Sequence, residues 1–302
     1  MEFGHRISSF EEYVTLISEI SKPYYGKLPL GIKLLFRGQT NFMWPLLPKI
    51  ARGKESETKV ALLDYERNLI ETAKYKLPSV FMAELEPLDL LALLQHYGIA
   101  TRLMDVTSNP LVALFFACSG NIDTDGEVIV FEKCIEHIAP CPIQNAIADS
   151  YRFVSKSDIS LEYFFNNIKR QPYSSEQICD FELLFGDSAS GAEWIKRCCS
   201  RTMYVQAKEQ ITRQKLQQGE YILFPNRIEY SESLEKDCFV NFINEIPKKR
   251  DYIFNHIIIA RESKLAIIEA LNVFGINEGT LFADSIDVVC KQIESDIKRM
   301  VL

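Results

Sequence analysis

The sequence predicts an α+β protein whose core is a mixed β-sheet flanked by helices, with a helical insertion in the middle of the chain. Three features indicate this class. Apolar residues make up 47% of the 302 residues, which is ordinary for a globular protein with a substantial core. Short apolar runs typical of buried strands are spread along the chain. Segments with helical spacing and recognisable caps lie between these runs.

We expect a single domain over residues 1–302. Its core would comprise about 30–133 and 201–290. The helical insertion would cover about 134–200, where helical pieces such as LEYFFNNIKR mix with turn-like breaks such as FGDSASG. Two domains that meet near 135–200 are the alternative. No internal repeat, low-complexity tract or Pro/Gly linker favours such a division.

The first part of the chain predicts two helices and a strand. Ser9 followed by Glu12 forms a capping box, which opens the first helix. The run KLLFRGQ is typical of a strand that ends in a turn at Arg37-Gly38. Residues 57–77 then show helical spacing.

Two apolar helices frame the most polar motif of the chain. The helix PLDLLALLQHY begins at Pro87, and Gly98 is its C-terminal cap. The helix NPLVALFFAC has Asn109 as N-cap and Pro110 at its first helical position. We expect the segment IATRLMDVTSN between them to be a largely buried loop anchored at both ends.

The rest of the chain predicts three more strands and two more helices. The runs GEVIVFEK, QGEYILF and HIIIA read as buried strands, and the second is entered through Gly219. The pattern ESKLAIIEALNVFGI predicts a helix closed by Gly275, and a terminal helix is expected from about Ser285.

Charge and hydropathy exclude several classes of protein. The net charge of -7 argues against a surface that grips nucleic acid as a whole, although a local basic groove is compatible with it. No segment is long and apolar enough to span a membrane, and the first residues lack the apolar core of a signal peptide. A cytoplasmic location away from the membrane is therefore expected.

The eight cysteines are expected to be free thiols that pack as small hydrophobic side chains. No CxxC pair occurs and the four histidines are scattered, so no zinc site and no other metal site is expected. Cys118 and Cys290 fall on apolar faces of predicted helices.

The polar residues between the two apolar helices suit two different roles. Burying Arg102 or Asp105 alone would be costly, so we expect the two to form an internal clamp that shapes the loop. On this view Asp105→Ala destabilises more than Arg37→Ala. Thr107 and Ser108 precede a helix, where free N–H groups and the helix dipole attract anions. Simple capping of that helix is the alternative.

Arg37 is a candidate phosphate-binding residue, because a guanidinium at a strand end suits bidentate binding. The following Gly38 lets a ligand or another backbone approach closely. A surface ion pair is the alternative for Arg37. His96 ends a helix beside Tyr97 and suits either catalysis or packing at the helix C-terminus.

The entry to the strand QGEYILF offers a third group of candidates. Gln217, Gln218 and Glu220 flank Gly219 there. Side chains at such a position point either into a cleft at the sheet edge or into solvent.

Four motifs together resemble the FRG-domain family, named for the triplet Phe-Arg-Gly, which is Phe36-Arg37-Gly38 here. They are LFRGQ at 35–39, QHYGIATRLMDVTSNPLVALFFA at 95–117, RQKLQQG at 213–219 and LNVFGINEGTLFADSIDVV at 271–289. Members are bacterial and phage-associated proteins of mostly unassigned function, some near defence or toxin–antitoxin systems. The resemblance implies a setting in bacterial conflict, with an antitoxin or a phage-derived regulator as partner.

The order of elements is also similar to that of ADP-ribosyltransferases. Arg37 comes first, Thr107-Ser108 then lead into a helix rich in Ala and aromatic residues, and Gln218 or Glu220 follows near a late strand. This similarity implies a related fold with NAD as substrate. Arg37, beside Gly38, would neutralise the pyrophosphate. Thr107 and Ser108 would hold the nicotinamide ribose.

The same similarity implies the catalytic roles. Gln218 or Glu220 would stabilise the positive charge that develops on the ribose, or orient the nucleophile. His96 or Tyr97 would contact the adenosine or stack on the nicotinamide. The acceptor of ADP-ribose would be a protein, a nucleic acid or a small molecule.

Two other functions stay open. A non-catalytic module that senses a nucleotide or a phage signal would use the same pocket. A nuclease would need several convergent acids for metal, and these motifs supply only Asp105. If the motifs form one site, its residues should converge on one cleft, namely Arg37, His96, Arg102, Asp105, Thr107 and Gln218.

Overall fold

The computed structural model describes residues 4–25, 32–56, 58–134, 142–154, 158–174, 186–208 and 212–282. Over these ranges the chain is an α+β protein with a seven-stranded mixed sheet, a three-stranded sheet and ten α-helices. The predicted class, a mixed sheet flanked by helices, is confirmed.

The elements alternate along the chain, and their bounds are as follows. The strands are β1 His5–Ile7, β2 Ile32–Gln39, β3 Leu103–Thr107, β4 Gly126–Cys134, β5 Ile159–Ser160, β6 Met203–Val205, β7 Gly219–Leu223, β8 Ile228–Ser231, β9 Lys236–Phe239 and β10 Asn255–Ile259. The helices are α1 Phe10–Ser21, α2 Glu66–Lys76, α3 Pro87–His96, α4 Pro110–Cys118, α5 Pro142–Ala148, α6 Leu161–Ile168, α7 Ser188–Cys198, α8 Thr212–Leu216, α9 Lys264–Val273 and α10 Glu278–Leu281.

The large sheet has the strand order β1-β10-β4-β2-β3-β7-β6, and the small sheet has the order β5-β9-β8. Strand β2 pairs with β4 along its whole length. It pairs with β3 only where Phe36 lies opposite Thr107. Strand β3 in turn pairs with β7 along its whole length. The sheet is thus nearly interrupted between β2 and β3, and this split positions the candidate site.

The two faces of the sheet pack against different parts of the chain, because successive side chains of a strand point to opposite faces. Phe36 and Val128 pack with α1, α4 and α9 on one face. Leu35 and Ile129 pack with Met104 in a second apolar cluster. Helices α3, α5, α6 and α7 form a third cluster with β3, β6 and β7.

Several predicted caps lie where the sequence indicated. The Ser9 hydroxyl accepts a hydrogen bond from the Glu12 backbone N–H at 3.1 Å, and the Glu12 carboxylate accepts one from the Ser8 N–H. The Asn109 side chain caps α4 by accepting from the Leu111 N–H at 2.9 Å. Gly98 follows α3 with a φ of 86°, a left-handed conformation that favours glycine.

Three predicted boundaries were wrong. The segment IATRLMDVTSN is not all loop, because Leu103–Thr107 forms β3 in the middle of the large sheet. Arg37 and Gly38 lie inside β2 rather than in a turn after it. The helix expected at 57–77 begins only at Glu66, after a 3-10 turn at Leu62–Tyr65. In that turn Asp64 accepts a hydrogen bond from the Ala61 N–H at 2.7 Å.

Gly38 permits the close packing of α4 on β2. A Cβ atom at this position would lie 1.9 Å from the carbonyl oxygen of Ala113 in α4. The close approach expected at Gly38 is therefore that of another backbone, and it fixes the helix that follows Thr107 against the sheet.

Cys118, Cys198, Cys199 and Cys238 are free thiols, as predicted. The side chain of Cys134, the residues Cys141, Cys179 and Cys290, and the terminal helix expected from Ser285 lie outside the described part of the chain. Within the described ranges, no helix combines the length and hydropathy that crossing a bilayer requires.

Candidate functional site

A cleft of about 240 Å³ lies where β2 and β3 separate. It is bordered by strands β2, β3 and β7 and by helices α3, α4 and α8. Its lining residues are Phe36, Arg37, Gly38, Gln95, His96, Asp105, Val106, Thr107, Val112, Ala113, Phe116, Gln214, Gln217, Gly219, Glu220 and Tyr221. Most of the predicted site residues are among them, although they are widely separated in sequence.

Arg37 crosses the gap between the two strands. Its Nη1 donates a 2.6 Å hydrogen bond to the backbone carbonyl oxygen of Asp105, and its Nε donates a 3.4 Å bond to Gln39 Oε1. Among the described residues, no carboxylate oxygen lies within ion-pair distance of the guanidinium. Burial lowers the pKa of Arg37 to about 10, opposed by the charge of Asp105 and reinforced by the charge of Arg52. The guanidinium is thus a partly desolvated cation available to an anionic ligand.

Asp105 is the exposed carboxylate of the cleft, and a short relay orients it. The Leu103 N–H donates to the Thr101 hydroxyl, which donates to Gln95 Oε1 at 2.5 Å. Gln95 Oε1 is thereby fixed as an acceptor, so Gln95 Nε2 faces Asp105 and donates to its Oδ1 at 2.7 Å. The backbone of Asp105 is held by Arg37 and its side chain by Gln95.

The predicted clamp between Arg102 and Asp105 was wrong. Arg102 is 1% exposed and forms a two-pronged ion pair with Glu66 of α2, which is 5% exposed. Its Nη1 also donates to Asn226 Oδ1 at 3.0 Å. Residues 102 and 105 are separated by an odd number of positions as the chain enters β3, so their side chains point to opposite faces. Arg102 therefore lies in the core and outside the cleft.

Thr107 joins β3 to the turn that precedes β7. Its hydroxyl donates a 2.6 Å hydrogen bond to the carbonyl oxygen of Gln217 and accepts one from the Asn109 N–H at 3.0 Å. The Ser108 N–H donates to the carbonyl oxygen of Gln218 at 3.1 Å. The Thr107 hydroxyl proton is therefore committed, and the oxygen keeps capacity for one more donor.

Gln218 lies on the rim of the cleft rather than in its lining. It has a φ of 47°, a left-handed conformation that is uncommon for a residue other than glycine. Its Oε1 accepts a 3.4 Å hydrogen bond from the hydroxyl of Ser108, which also lies on the rim. The strained turn directs the Gln218 side chain towards the start of α4.

Glu220 lines the cleft, but two lysines engage its carboxylate. Lys33 Nζ lies 2.5 Å from Oε1 and Lys133 Nζ lies 2.7 Å from Oε2. Burial alone would raise the pKa of Glu220, but the two ion pairs outweigh it and hold the pKa below its ordinary value. With both oxygens paired, Glu220 connects β7 to β2 and β4.

His96 lines the cleft at the end of α3, whereas Tyr97 lies beside it. The rings of His96 and Tyr97 meet edge to face at 4.8 Å between centroids, and Tyr97 contacts Phe81 in the same way. Tyr97 is 59% exposed. His96 is thus placed to contact a ligand directly, and Tyr97 supports it from the surface.

Sequence reasoning did not single out two polar residues of the cleft, Gln95 and Gln214. Gln214 is 7% exposed, and its Oε1 is buried without a hydrogen-bond donor among the described residues. It is therefore an acceptor available to a ligand N–H or hydroxyl group. Gln95 belongs to the motif at 95–117 and Gln214 to the motif RQKLQQG, so motif membership is the signal that could have identified both.

The four motifs contact one another in sequence order around the cleft. Arg37 bonds the Asp105 carbonyl, which joins the first motif to the second. Thr107 bonds the Gln217 carbonyl, which joins the second to the third. Gln217 Nε2 donates to the Leu281 carbonyl at 3.2 Å, which joins the third to the fourth. A single structural unit thus connects residues from both ends of the chain.

A second cavity adjoins the cleft, and a wider groove adjoins that cavity. A cavity of about 190 Å³ shares Arg37, Gln95 and Asp105 with the cleft and is bounded on its other side by Lys49 and Arg52. A wider groove of about 1490 Å³ begins at Arg52. Several charged side chains of this groove already have partners: Lys54 pairs with Asp64, Lys196 with Asp237 and Arg227 with Glu229. The cleft collects the motif residues around Arg37, which has no carboxylate partner among the described residues, and it is therefore the stronger candidate site.

Within the described residues, no group of three or more His, Cys, Asp or Glu side chains is arranged to hold a metal ion.

Fold and site together define an α+β protein with a polar cleft at a split in its central sheet, built from motifs at 35–39, 95–117 and 213–219. Residues 32–126 match the model of the FRG domain, so the chain carries an FRG domain over that range. The match includes the Phe36-Arg37-Gly38 triplet and the whole of 95–117, and it ends before the motif at 213–219. Comparison with curated proteins and with solved structures gave no match.

Proposed function

We propose that the protein binds NAD in the cleft and transfers or hydrolyses its ADP-ribose group. The observation that carries this proposal is the guanidinium of Arg37. It is held at the mouth of a concave site by a backbone carbonyl at 2.6 Å, with no carboxylate at ion-pair distance among the described residues. A partly buried cation of this kind is favourable when an anionic ligand supplies the missing charge.

The neighbouring side chains suit the uncharged parts of NAD. The Thr107 hydroxyl oxygen and the buried Gln214 Oε1 are acceptors for ribose hydroxyls or for the nicotinamide amide. His96 and Phe116 offer ring faces or edges to a planar base. Gly38 contributes by allowing α4, which carries Phe116, to pack close to β2.

Cleavage of the bond between ribose and nicotinamide builds positive charge on the ribose, which a carboxylate in the cleft would stabilise. Sequence similarity implied Gln218 or Glu220 for this role. The carboxylate of Glu220 is neutralised by Lys33 and Lys133, whereas that of Asp105 is exposed and oriented. We therefore propose Asp105 as the charge-stabilising group, with Gln218 at the rim where an acceptor would approach.

The strand order supports an ADP-ribosyltransferase-like arrangement, which is part of the proposal. The three segments that resemble those enzymes lie on β2, β3 and β7, which are consecutive neighbours in the sheet. Arg37, Thr107 and Gly219 each border the same cleft. The order along the chain is therefore also an order in space.

The proposed biological setting follows from the FRG domain and is bacterial conflict. We propose a cytoplasmic toxin or antiviral effector whose acceptor is a macromolecule and whose activity is restrained by an antitoxin or released by a phage component. The wide groove meets the second cavity at Leu47 and Arg52, so a macromolecular acceptor would approach the cleft along this groove and through that cavity.

Release of nicotinamide tests the reaction directly. Purified protein is incubated with NAD labelled in the adenylate part, with and without cell lysate and after removal of any inhibitory partner. The proposal expects nicotinamide release or a labelled acceptor with the wild-type protein. It also expects a clear decrease in both with Arg37→Leu at NAD concentrations below saturation. A folded protein that yields neither product under these conditions would overturn the catalytic claim.

A second candidate function is a nucleotide sensor that binds the same ligand without turning it over. The observation that favours it is the pairing of both Glu220 oxygens, which leaves one exposed carboxylate, that of Asp105, among the described residues that line the cleft. NAD binding without nicotinamide release would support this alternative.

A further inference from the structure

Arg52 is a second arginine that borders the ligand-binding region, and none of the sequence motifs includes it. It follows the 3-10 turn Lys49–Ala51 and lines both the second cavity and the wide groove. It is exposed, and within the described ranges no carboxylate lies within ion-pair distance of its guanidinium. In this it resembles Arg37, which also has no carboxylate partner in the part of the chain that the structure describes.

Arg37 and Arg52 border the same cavity. Both line the second cavity, and Arg37 also lines the cleft, so the two cavities meet at Arg37, Gln95 and Asp105. The positive charge of Arg52 disfavours the charged form of Arg37. The negative charge of Asp105 favours the charged forms of both arginines. The second cavity is lined by Arg37, Lys49 and Arg52 and by one carboxylate, that of Asp105, so its charged lining is net positive and suits an anion.

The two cavities differ in their walls. The cleft presents polar groups such as Thr107, Gln214 and His96. The second cavity has an apolar wall, formed by Leu47, Pro48, Ile99, Leu103 and Met104, and a charged and polar side that includes Arg37, Lys49, Arg52, Gln95 and Asp105. Volumes of about 240 and 190 Å³ are each small for a whole dinucleotide, whereas together they fall within the range of ordinary ligand sites.

We propose that Arg37 and Arg52 together grip a diphosphate at the junction of the two cavities, so that the ligand spans both. The ligand class is then a dinucleotide, with one nucleoside in the polar cleft and the other against the apolar wall of the second cavity. This assignment deepens the proposed function and rests on it for the identity of the nucleosides. A diphosphate offers each guanidinium one phosphate group for bidentate binding, which a monophosphate does not.

Asp105 provides a second test of this proposal, because its negative charge repels a diphosphate bound at the same junction. Replacing Asp105 with Asn removes that repulsion and keeps an acceptor for Gln95 Nε2. Asp105→Asn should therefore bind a diphosphate more tightly than the wild-type protein, whereas Arg52→Gln should bind it more weakly.

The test is titration calorimetry of the full chain with ADP-ribose, AMP and inorganic pyrophosphate. Arg52→Gln should weaken ADP-ribose binding by about tenfold or more, the loss of a charge-assisted contact. It should weaken AMP binding by less than about threefold, since Arg37 alone serves one phosphate. Arg201→Gln is the matched control, because Arg201 is an exposed arginine of the wide groove away from the junction.

The outcomes separate this inference from the proposed function. ADP-ribose binding that is unchanged in Arg52→Gln would overturn the two-arginine grip while leaving NAD binding intact. Pyrophosphate binding that depends on Arg52, without binding of NAD or ADP-ribose, would support the grip and overturn the dinucleotide. No binding of any diphosphate would overturn both.

Discussion

The guanidinium of Arg37 bridges the split in the central sheet by donating a 2.6 Å hydrogen bond to the carbonyl oxygen of Asp105. Strands β2 and β3 pair only at Phe36 and Thr107, so a side chain replaces the strand ladder at this point. The same bond sets the backbone of the residue whose carboxylate lies exposed in the cleft. The split in the sheet, the cation and the carboxylate are therefore parts of one arrangement.

Loss of the charge at Arg37 should change the stability of the protein little, whereas loss of the charge at Arg102 should lower it strongly. Arg37→Leu removes two hydrogen bonds, one of them long, but also a partly buried charge, so the free energy of unfolding of the unliganded protein should change by no more than about 1 kcal/mol. Arg102→Leu leaves the buried carboxylate of Glu66 unpaired and should cost roughly 3–5 kcal/mol. Urea denaturation of both variants checks this, and equal losses would contradict the structural distinction.

Gly38 should tolerate no side chain, because the backbone of α4 fills the space beside it. Gly38→Ala places a Cβ 1.9 Å from the Ala113 carbonyl oxygen and should destabilise by about 3 kcal/mol or more. Gly219→Ala is the matched control in the same cleft, since its Cβ would meet nothing closer than 3.5 Å. A Gly38→Ala variant as stable as Gly219→Ala would show that α4 can move away from β2.

Glu220 should contribute stability that depends on pH. Its folded-state pKa lies below the ordinary value of 4.5, so its contribution is present above that pH and is lost as pH falls through the folded-state pKa. Glu220→Gln leaves Lys133 buried without its carboxylate and should cost roughly 3–5 kcal/mol near neutral pH. Below pH 4.5 the wild-type protein should lose stability faster than the variant. If the free energies of unfolding of the two proteins fell in parallel down to about pH 3, the ion pairs of Glu220 with Lys33 and Lys133 would not be the cause of the pH dependence.

Asp105 and Gln95 should affect turnover more than binding. Asp105→Asn removes the proposed stabilising charge and should slow nicotinamide release by about 10²–10³-fold while NAD binds at least as tightly. Gln95→Leu leaves the carboxylate in place but breaks the relay from Thr101, so a smaller loss of about tenfold is expected. Steady-state kinetics with both variants separates the roles. Full activity of Asp105→Asn would exclude Asp105 as the group that stabilises the positive charge on the ribose.

Local patterns predicted the strands β2, β4, β7 and β10 and the capped helices, because burial and capping leave short-range signals. They missed β3, although Asp105 and Thr107 alternate with apolar neighbours as in a half-buried strand. Because apolar helices flank this segment on both sides, it was predicted to be a buried loop that connects them. Reading β3 as a loop then allowed Arg102 and Asp105 to be paired, which strand alternation forbids.

Motifs predicted the members of the site better than their roles. Arg37, Gly38, His96, Asp105, Thr107 and Glu220 all line one cleft, as motif membership suggested. The partners of charged residues came from distant parts of the chain: Glu66 for Arg102, and Lys33 and Lys133 for Glu220. No spacing rule connects such positions, so the sequence alone could not tell a buried ion pair from a free catalytic group. Arg52 was missed because it lies outside the four motifs.

Binding of NAD to the wild-type protein and to Arg37→Leu, measured by titration calorimetry, tests the central claim most directly. Arg37→Leu should bind NAD at least about tenfold more weakly, since charge-assisted hydrogen bonds are worth roughly 1.5–3 kcal/mol. Its melting temperature without ligand should stay close to that of the wild-type protein. No binding of NAD to the folded wild-type protein, or equal affinity in the two proteins, would contradict the assignment of the cleft as an NAD site.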